Sequence, residues 1–200
     1  MVLNMVKQTD LRVVRTRKMI KEAFVELMDS VGFSKITIDS LAKKAFINRN
    51  TFYLHYTDKF DLLEQLQNEI LDGLKEIVKD IPIELMKERG MYNEKSIVII
   101  HQVYCYIEAN SRFFLLMMRE DGDHSFILKF TNTIKNVILE KIAAVGIKPP
   151  PRYIFAIMTG VFTGIIGEWL NSGMRESPDE LADMMILYLG DVPKKILKES

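Results

Sequence analysis

Residues 36–66 read ITIDSLAKKAFINRNTFYLHYTDKFDLLEQL, and this stretch decides the fold. Thr37 precedes IDSLAKKA as an N-cap, because its side-chain oxygen accepts one of the orphan N–H groups of the first helical turn. Ser40 stands where a capping box wants Glu or Gln, so the sequence predicts a cap with the box left incomplete. After a break at Phe46-Ile47, Asn48 predicts a second N-cap for a short helix running to about Leu54. Two short helices about a tight break describe a helix-turn-helix, whose second helix enters the major groove while the first crosses the backbone. Asn48, Arg49, Asn50, Thr51, Tyr53 and His55 give that second helix donors, acceptors and aromatics. Such side chains reach phosphates and base edges. Phe52 and Leu54 are left to face inward.

Working outward, Met19, Ile20, Ala23, Phe24, Leu27, Met28 and Val31 recur at helical spacing, with Gly32 as the stop. From Asp58 a longer helix is predicted, with Leu63, Leu66, Ile70, Leu74 and Ile77 at heptad-like spacing and Pro82 at its end. This helix, about 58–80, links a DNA-binding module over 1–57 to a larger part over 58–200. Apolar helical stretches follow near 83–89, 95–109, 112–119 and 124–144, before Gly146 and Pro149–Pro151 break the series. Two more helices are expected over 152–170 and 178–189, the last with Ser177 as N-cap and Pro178 in its first turn. No strand alternation occurs, so the expected fold is all-α: a three-helix head and a larger helical bundle.

The chain has 200 residues, 48% hydrophobic and 27% charged, which excludes a disordered, fibrous or disulfide-rich protein. Cys105 is the single cysteine and cannot pair within the chain, which suits a reducing compartment. The N-terminal residues lack an apolar signal region, and the uncharged stretch Tyr153–Gly167 is too short to span a bilayer. A cytoplasmic protein with no membrane partner is expected. The 27 basic and 27 acidic residues cancel overall, but residues 1–60 hold 11 Lys+Arg against 6 Asp+Glu. A basic small module joined to an acidic larger one points to nucleic acid.

The same stretch, and above all TFYLHYTDK, resembles the DNA-binding module of the TetR family of bacterial transcriptional regulators, over about Arg17 to Leu66. The resemblance implies three N-terminal helices on operator DNA, a connecting fourth, and a variable helical domain that binds an effector and forms a homodimer. By position, Thr37, Thr51 and Tyr53 match family contacts to operator phosphates. His55 lies close to the DNA at the end of the recognition helix, and Lys59 sits at the start of the fourth helix near a phosphate. Asn48 caps the recognition helix, and Arg49 and Asn50 occupy the base-reading positions. Their chemistry suits this, since Arg pairs bidentately with guanine and Asn with adenine. Tyr53 as packing and Lys59 as a solvated charge are the alternatives. Phe46 departs from the family, which usually has Gly at that turn, and a bulky residue there is costly if the turn needs φ > 0. Residues 110–126, 160–173 and 176–185 are similar to the C-terminal domain of the subgroup resembling regulators of dihydroxyacetone kinase genes. The resemblance implies a regulator, more often a repressor, with an unidentified small-molecule or protein effector.

Gly160 and Gly164 lie one turn apart, where a second helix can approach closely, although each glycine costs a helix about 1 kcal/mol. With Met184 or Met185 they are the expected dimer contact, close packing within one subunit being the alternative. His101, Tyr104, Phe114, Met118, Phe155, Met158, Phe162 and Trp169 are candidate walls of an apolar effector pocket; the alternative is plain core. The sequence has no GxSxG, HExxH, Walker or GxGxxG motif, so neither an enzyme nor a cofactor is expected. Glu120, Asp121, Asp123 and His124 lack metal-loop spacing and read as a turn and cap, with no metal. Cys105 is expected to be inert, with no basic neighbour. A helical carrier or adaptor that has lost sequence-specific DNA binding is the competing function, and Phe46 keeps it open.

Overall fold

Helices alone build the described part of the chain, which in this computed structural model is residues 2–82, 94–144 and 152–189, with side chains for 11–82, 95–144, 156, 159–185 and 187. In chain order they are α1 (Val2–Val31), α2 (Ile38–Lys44), α3 (Arg49–Tyr53), α4 (Lys59–Val78), α5 (Glu94–Ala109), α6 (Ser111–Met118), α7 (Ser125–Ala144), α8 (Arg152–Asn171) and α9 (Pro178–Leu189). A single 3-10 turn, Phe33–Lys35, joins α1 to α2. The all-α reading holds among the described residues. The stretch near 83–89 and the breakers Gly146 and Pro149–Pro151 lie outside them, as do the side chains of Phe155 and Met158. No described helix is long and apolar enough to cross a membrane.

The chain divides into two units: Met1–Glu69 with Arg119–Asp123, and Ile70–Met118 with His124–Ser200. The division falls inside α4, where the sequence placed it just before that helix. In the first unit Ile20, Phe24 and Met28 bury one face of α1 at four-residue steps, and Leu41, Ala42, Phe52, Tyr56 and Leu62 are buried in the same unit. Gly32 ends α1 with φ 80°, and its N–H donates to Met28 O at 3.1 Å. The helix begins well before the predicted apolar stripe. Leu11 to Arg15 are exposed, so they leave no periodic signature, yet a packed helix extends over neighbours at little cost once nucleated.

The loop Arg119–Asp123 closes onto this same unit. Arg119 Nη1 donates to Asp29 Oδ1 (3.1 Å) and O (3.3 Å), and buried Gln67 donates through Nε2 to Asp123 Oδ2 at 2.8 Å. Among the described residues no three His, Cys, Asp or Glu side chains converge as metal ligands.

In the second unit the core is aromatic. Tyr104 contacts Trp169 and Phe162, each at 5.7 Å between centroids, and Phe130 stands edge-on to Phe114 at 5.2 Å. Tyr106 donates to Ile70 O at 3.1 Å, beside Gly73 of α4. Helix α9 packs along α5 and starts with a closed box: Ser177 N–H donates to Glu180 Oε2 at 2.7 Å, and Glu180 N–H to Ser177 Oγ at 3.3 Å. The Ser177 N–H, and then its hydroxyl donating to Oε2 at 3.0 Å, hold the Glu180 carboxyl below its ordinary range.

Candidate nucleic-acid interface

Local hydrogen bonds fix the two short helices of the head. Thr37 Oγ1 accepts from Ser40 N–H, and Ser40 Oγ accepts from Thr37 N–H, both at 3.1 Å. The box that the sequence left incomplete is therefore closed, because a serine hydroxyl makes the reciprocal bond that Glu or Gln usually makes. Helix α2 then ends in a Schellman motif: Phe46 N–H donates to Lys43 O at 3.3 Å and Ile47 N–H to Ala42 O at 3.0 Å. The residue at the left-handed position is Phe46, with φ 54°. The turn thus has its usual hydrogen bonds, with a phenylalanine carrying the strain that a glycine avoids. The ring gains nothing in return, being 89% exposed.

Asn48 caps α3, its Oδ1 accepting from Asn50 N–H at 2.8 Å. Phe52 is buried, while Asn48, Arg49, Asn50 and Tyr53 are exposed and Thr51 is half-buried. Arg49 does not float. Its Nη2 donates to the Tyr53 hydroxyl at 3.2 Å and its Nη1 to Asp39 Oδ1 at 3.3 Å. The hydroxyl and then the carboxylate hold the guanidinium above its ordinary pKa. Asp39, one helix earlier, is a member of this surface that the sequence reading missed; its position in the first turn of α2 was the available signal.

Leu54 corrects the sequence reading, since it is 81% exposed and not inward-facing. Helix α3 ends at Tyr53, so the inward position after Phe52 passes to Tyr56, four residues on and buried. Tyr56 lies under the Arg17 guanidinium, 5.6 Å from its ring centroid. His55 is half-buried beside it, and burial followed by the Arg17 charge lowers its pKa from the ordinary value.

Lys59 is tied to the protein's own backbone. Its Nζ donates to the carbonyls of Phe33, Ser34 and Ile36, each at 3.0 Å, and lies 4.8 Å from the Phe33 ring centroid. All three ammonium donors are committed to the loop between α1 and α2.

This geometry is that of a capped helix-turn-helix, and comparison with known proteins names it. The family model described as "Bacterial regulatory proteins, tetR family" matches residues 20–66, and "Transcriptional regulator C-terminal region" matches 94–191. The chain belongs to the TetR family of transcription regulators. It is 26% identical over 164 residues to the HTH-type regulator YxbF of Bacillus subtilis, which covers 82% of this chain but 42% of YxbF. It is 25% identical over 128 residues to DhaS of Lactococcus lactis, the transcriptional activator of the dhaKLM operon, covering 63% of this chain and 62% of DhaS. The chain thus spans less than two thirds of the length of both relatives. The fold is shared with a solved DhaS structure (TM-score 0.54, 18% identity, 90% of this chain and 97% of that one). It is also shared with the fatty acid degradation regulator FadR of Bacillus halodurans (TM-score 0.57, 14% identity, 87% and 95%). Both matched regions are those of transcription regulators.

Of the expected pocket residues, Tyr104, Phe114, Phe162 and Trp169 lie in the aromatic core of this regulator's second unit, and Met118 reaches Gly167. The Trp169 indole donates to Glu176 O at 2.8 Å, so its polar tip closes the α8–α9 loop. His101 is elsewhere, on the α5–α9 seam, with Nε2 3.2 Å from Asp179 Oδ1 and 3.4 Å from Cys105 Sγ. Cys105 thus does have a basic neighbour, one turn back along α5, although burial and then Glu108 and Asp179 push its thiol pKa up. Gly160 and Gly164 of α8 are exposed, and an added Cβ at either would meet nothing described within 4 Å. Met184 or Met185 was expected near the dimer contact; Met184 is 37% exposed and Met185 is 4%. Consecutive helical residues point about 100° apart, so both cannot serve one outer face.

Proposed function

We propose that this TetR-family protein binds an operator as a homodimer and represses transcription from it in the cytoplasm until an effector releases it. The observation that carries the reading is the capped, outward-facing edge of α3. Arg49 and Asn50 read base edges; Thr37, Asn48, Thr51, Tyr53 and His55 contact the backbone. The open glycine face of α8, with Met184 on α9, supports a second copy there, and a two-fold dimer sets two half-sites about one helical turn or a multiple apart. The aromatic core of the second unit supports an apolar effector, acting through its differential affinity for the DNA-bound and free states. The Schellman turn at Phe46 keeps the bonds of a working helix-turn-helix, which favours this over a carrier that has lost DNA binding.

The test is selection of random duplexes on the purified protein, then fluorescence anisotropy on the recovered site with Arg49→Ala and Tyr53→Ala. A selected two-fold site, relaxed preference at one position per half-site for Arg49→Ala, and weaker binding for Tyr53→Ala are expected. Recovery of no common site would sink the regulator reading. Transcription in vitro from a promoter overlapping that site decides the sign, a fall on adding protein being expected.

A further inference from the structure

The positive charge of the head does not sit on the recognition helices. Residues 22–60, which hold α2 and α3, carry five Lys+Arg and five Asp+Glu, whereas residues 1–21 carry six basic residues and one acidic. The whole excess belongs to the first two-thirds of α1. Three of its cations are engaged inside the head: Arg17 and Lys21 pair with Glu69, and Lys18 with Glu22. Arg12 and Arg15 are exposed and have no carboxylate partner among the described residues. They precede Lys18 at three-residue steps, so the three line one side of the helix.

Their position follows from Arg17. It stands over Tyr56, just past the end of α3, and its charge acts on His55. Arg17 thus ties α1 beside the end of the recognition helix, and Arg15 and Arg12 lie within the two turns before it. Ile20 is the first buried residue of α1 among those whose side chains are described, and Arg12 lies about 12 Å before it along the helix, at 1.5 Å per residue. The family match itself starts only at residue 20, so this basic extension lies outside what the shared module accounts for.

We propose that Arg12 and Arg15 contact backbone phosphates of the duplex outside the half-sites, making the N-terminal part of α1 a second, sequence-independent DNA contact. The inference rests on the regulator reading above. Uncompensated arginines on an exposed helix edge match a polyanion, and neutralised phosphates release counterions. The exposed apolar neighbours Leu11 and Val14 would instead suit a second copy, which the test separates.

Anisotropy is measured against salt on two duplexes carrying the selected site: one extends about one helical turn (~10 bp) beyond each half-site, the other stops at the half-sites. The wild-type log–log slope should be steeper on the long duplex by about 0.9 per flanking phosphate, up to about 3.6 for two arginines in each of two subunits. Arg12→Gln/Arg15→Gln should give the shallower slope on both duplexes with unchanged base preference, and Arg12→Lys/Arg15→Lys should restore the steeper one. Equal slopes for wild type and the glutamine variant on both duplexes, with selectivity intact, overturn the inference and leave the regulator reading standing. A change of oligomeric state in that variant by analytical ultracentrifugation overturns it in favour of a contact between copies. Failure of the wild type to select any site removes both.

Discussion

Replacing Lys59 by methionine separates the two roles this residue can have. The side chain keeps its length but loses the ammonium, so three hydrogen bonds to Phe33, Ser34 and Ile36 carbonyls vanish together. A hydrogen bond from a charged donor contributes about 1.5–3 kcal/mol net in isolation. One ammonium shared among three acceptors gives less than the sum, and these carbonyls lie near the surface, where water recovers part of the loss. About 2–4 kcal/mol is expected to remain, including the contact with the Phe33 ring. A chain of this size loses about 2–4 °C of Tm per kcal/mol, so Lys59→Met should melt roughly 5–15 °C lower. Lys59→Arg should fall between, since a planar fork cannot aim at three converging carbonyls. Circular dichroism melting gives the stability, and anisotropy against salt gives the phosphate count. If Lys59 is instead a phosphate anchor, Tm holds within about 1 °C and the slope drops by about 0.9 per subunit. That pair of results would refute the structural reading.

Phe46→Gly should stabilise the chain by about 1 kcal/mol in chemical denaturation, because a left-handed L-residue costs about 1–2 kcal/mol and glycine returns part of this as unfolded-state entropy; a loss of stability would show that the exposed ring has a contact of its own. Gly73→Ala should destabilise despite the roughly 1 kcal/mol gain in helix propensity, since the new Cβ would clash with the Tyr106 hydroxyl oxygen. Adding Tyr106→Phe should recover part of that loss, and additive effects in the double-mutant cycle would contradict the clash. His55 is held below its ordinary 6.5 by burial and by Arg17, so the unfolded chain takes up its proton first as pH falls. Stability should therefore decline on passing below 6.5, down to the folded value, and denaturation at about pH 7.5 and 5.5 should show a smaller difference for His55→Gln.

What the sequence made legible was local chemistry. Thr37 and Asn48 were readable as caps because a cap depends on its own residue and the next three, and α9 was readable from Ser177-Pro178 for the same reason. Leu54 failed because the helical period was carried past Tyr53, where α3 stops; once the backbone turns, the buried position passes to Tyr56. The early start of α1 was invisible because an exposed helix has no apolar stripe to report it. Met184 and Met185 could be split only by knowing which face of α9 meets α5.

Lys59 shows the deeper limit, and it bears on the charge argument as a whole. A motif places a lysine near a phosphate by position, but the carbonyls that take it up come from residues more than twenty positions earlier and meet it only in the folded head. The same holds for Arg17 and Lys21, which Glu69 of α4 engages across 48 or more positions of sequence. Net charge therefore overstates what a head can offer to DNA: a cation already bound to a carbonyl or carboxylate must be released before it can neutralise a phosphate, and the cost of that release is subtracted from affinity. Counted this way, the salt dependence of this regulator should follow Arg12, Arg15 and the contacts along α3, and should be nearly blind to Arg17, Lys21 and Lys59, although all five are equally basic in sequence.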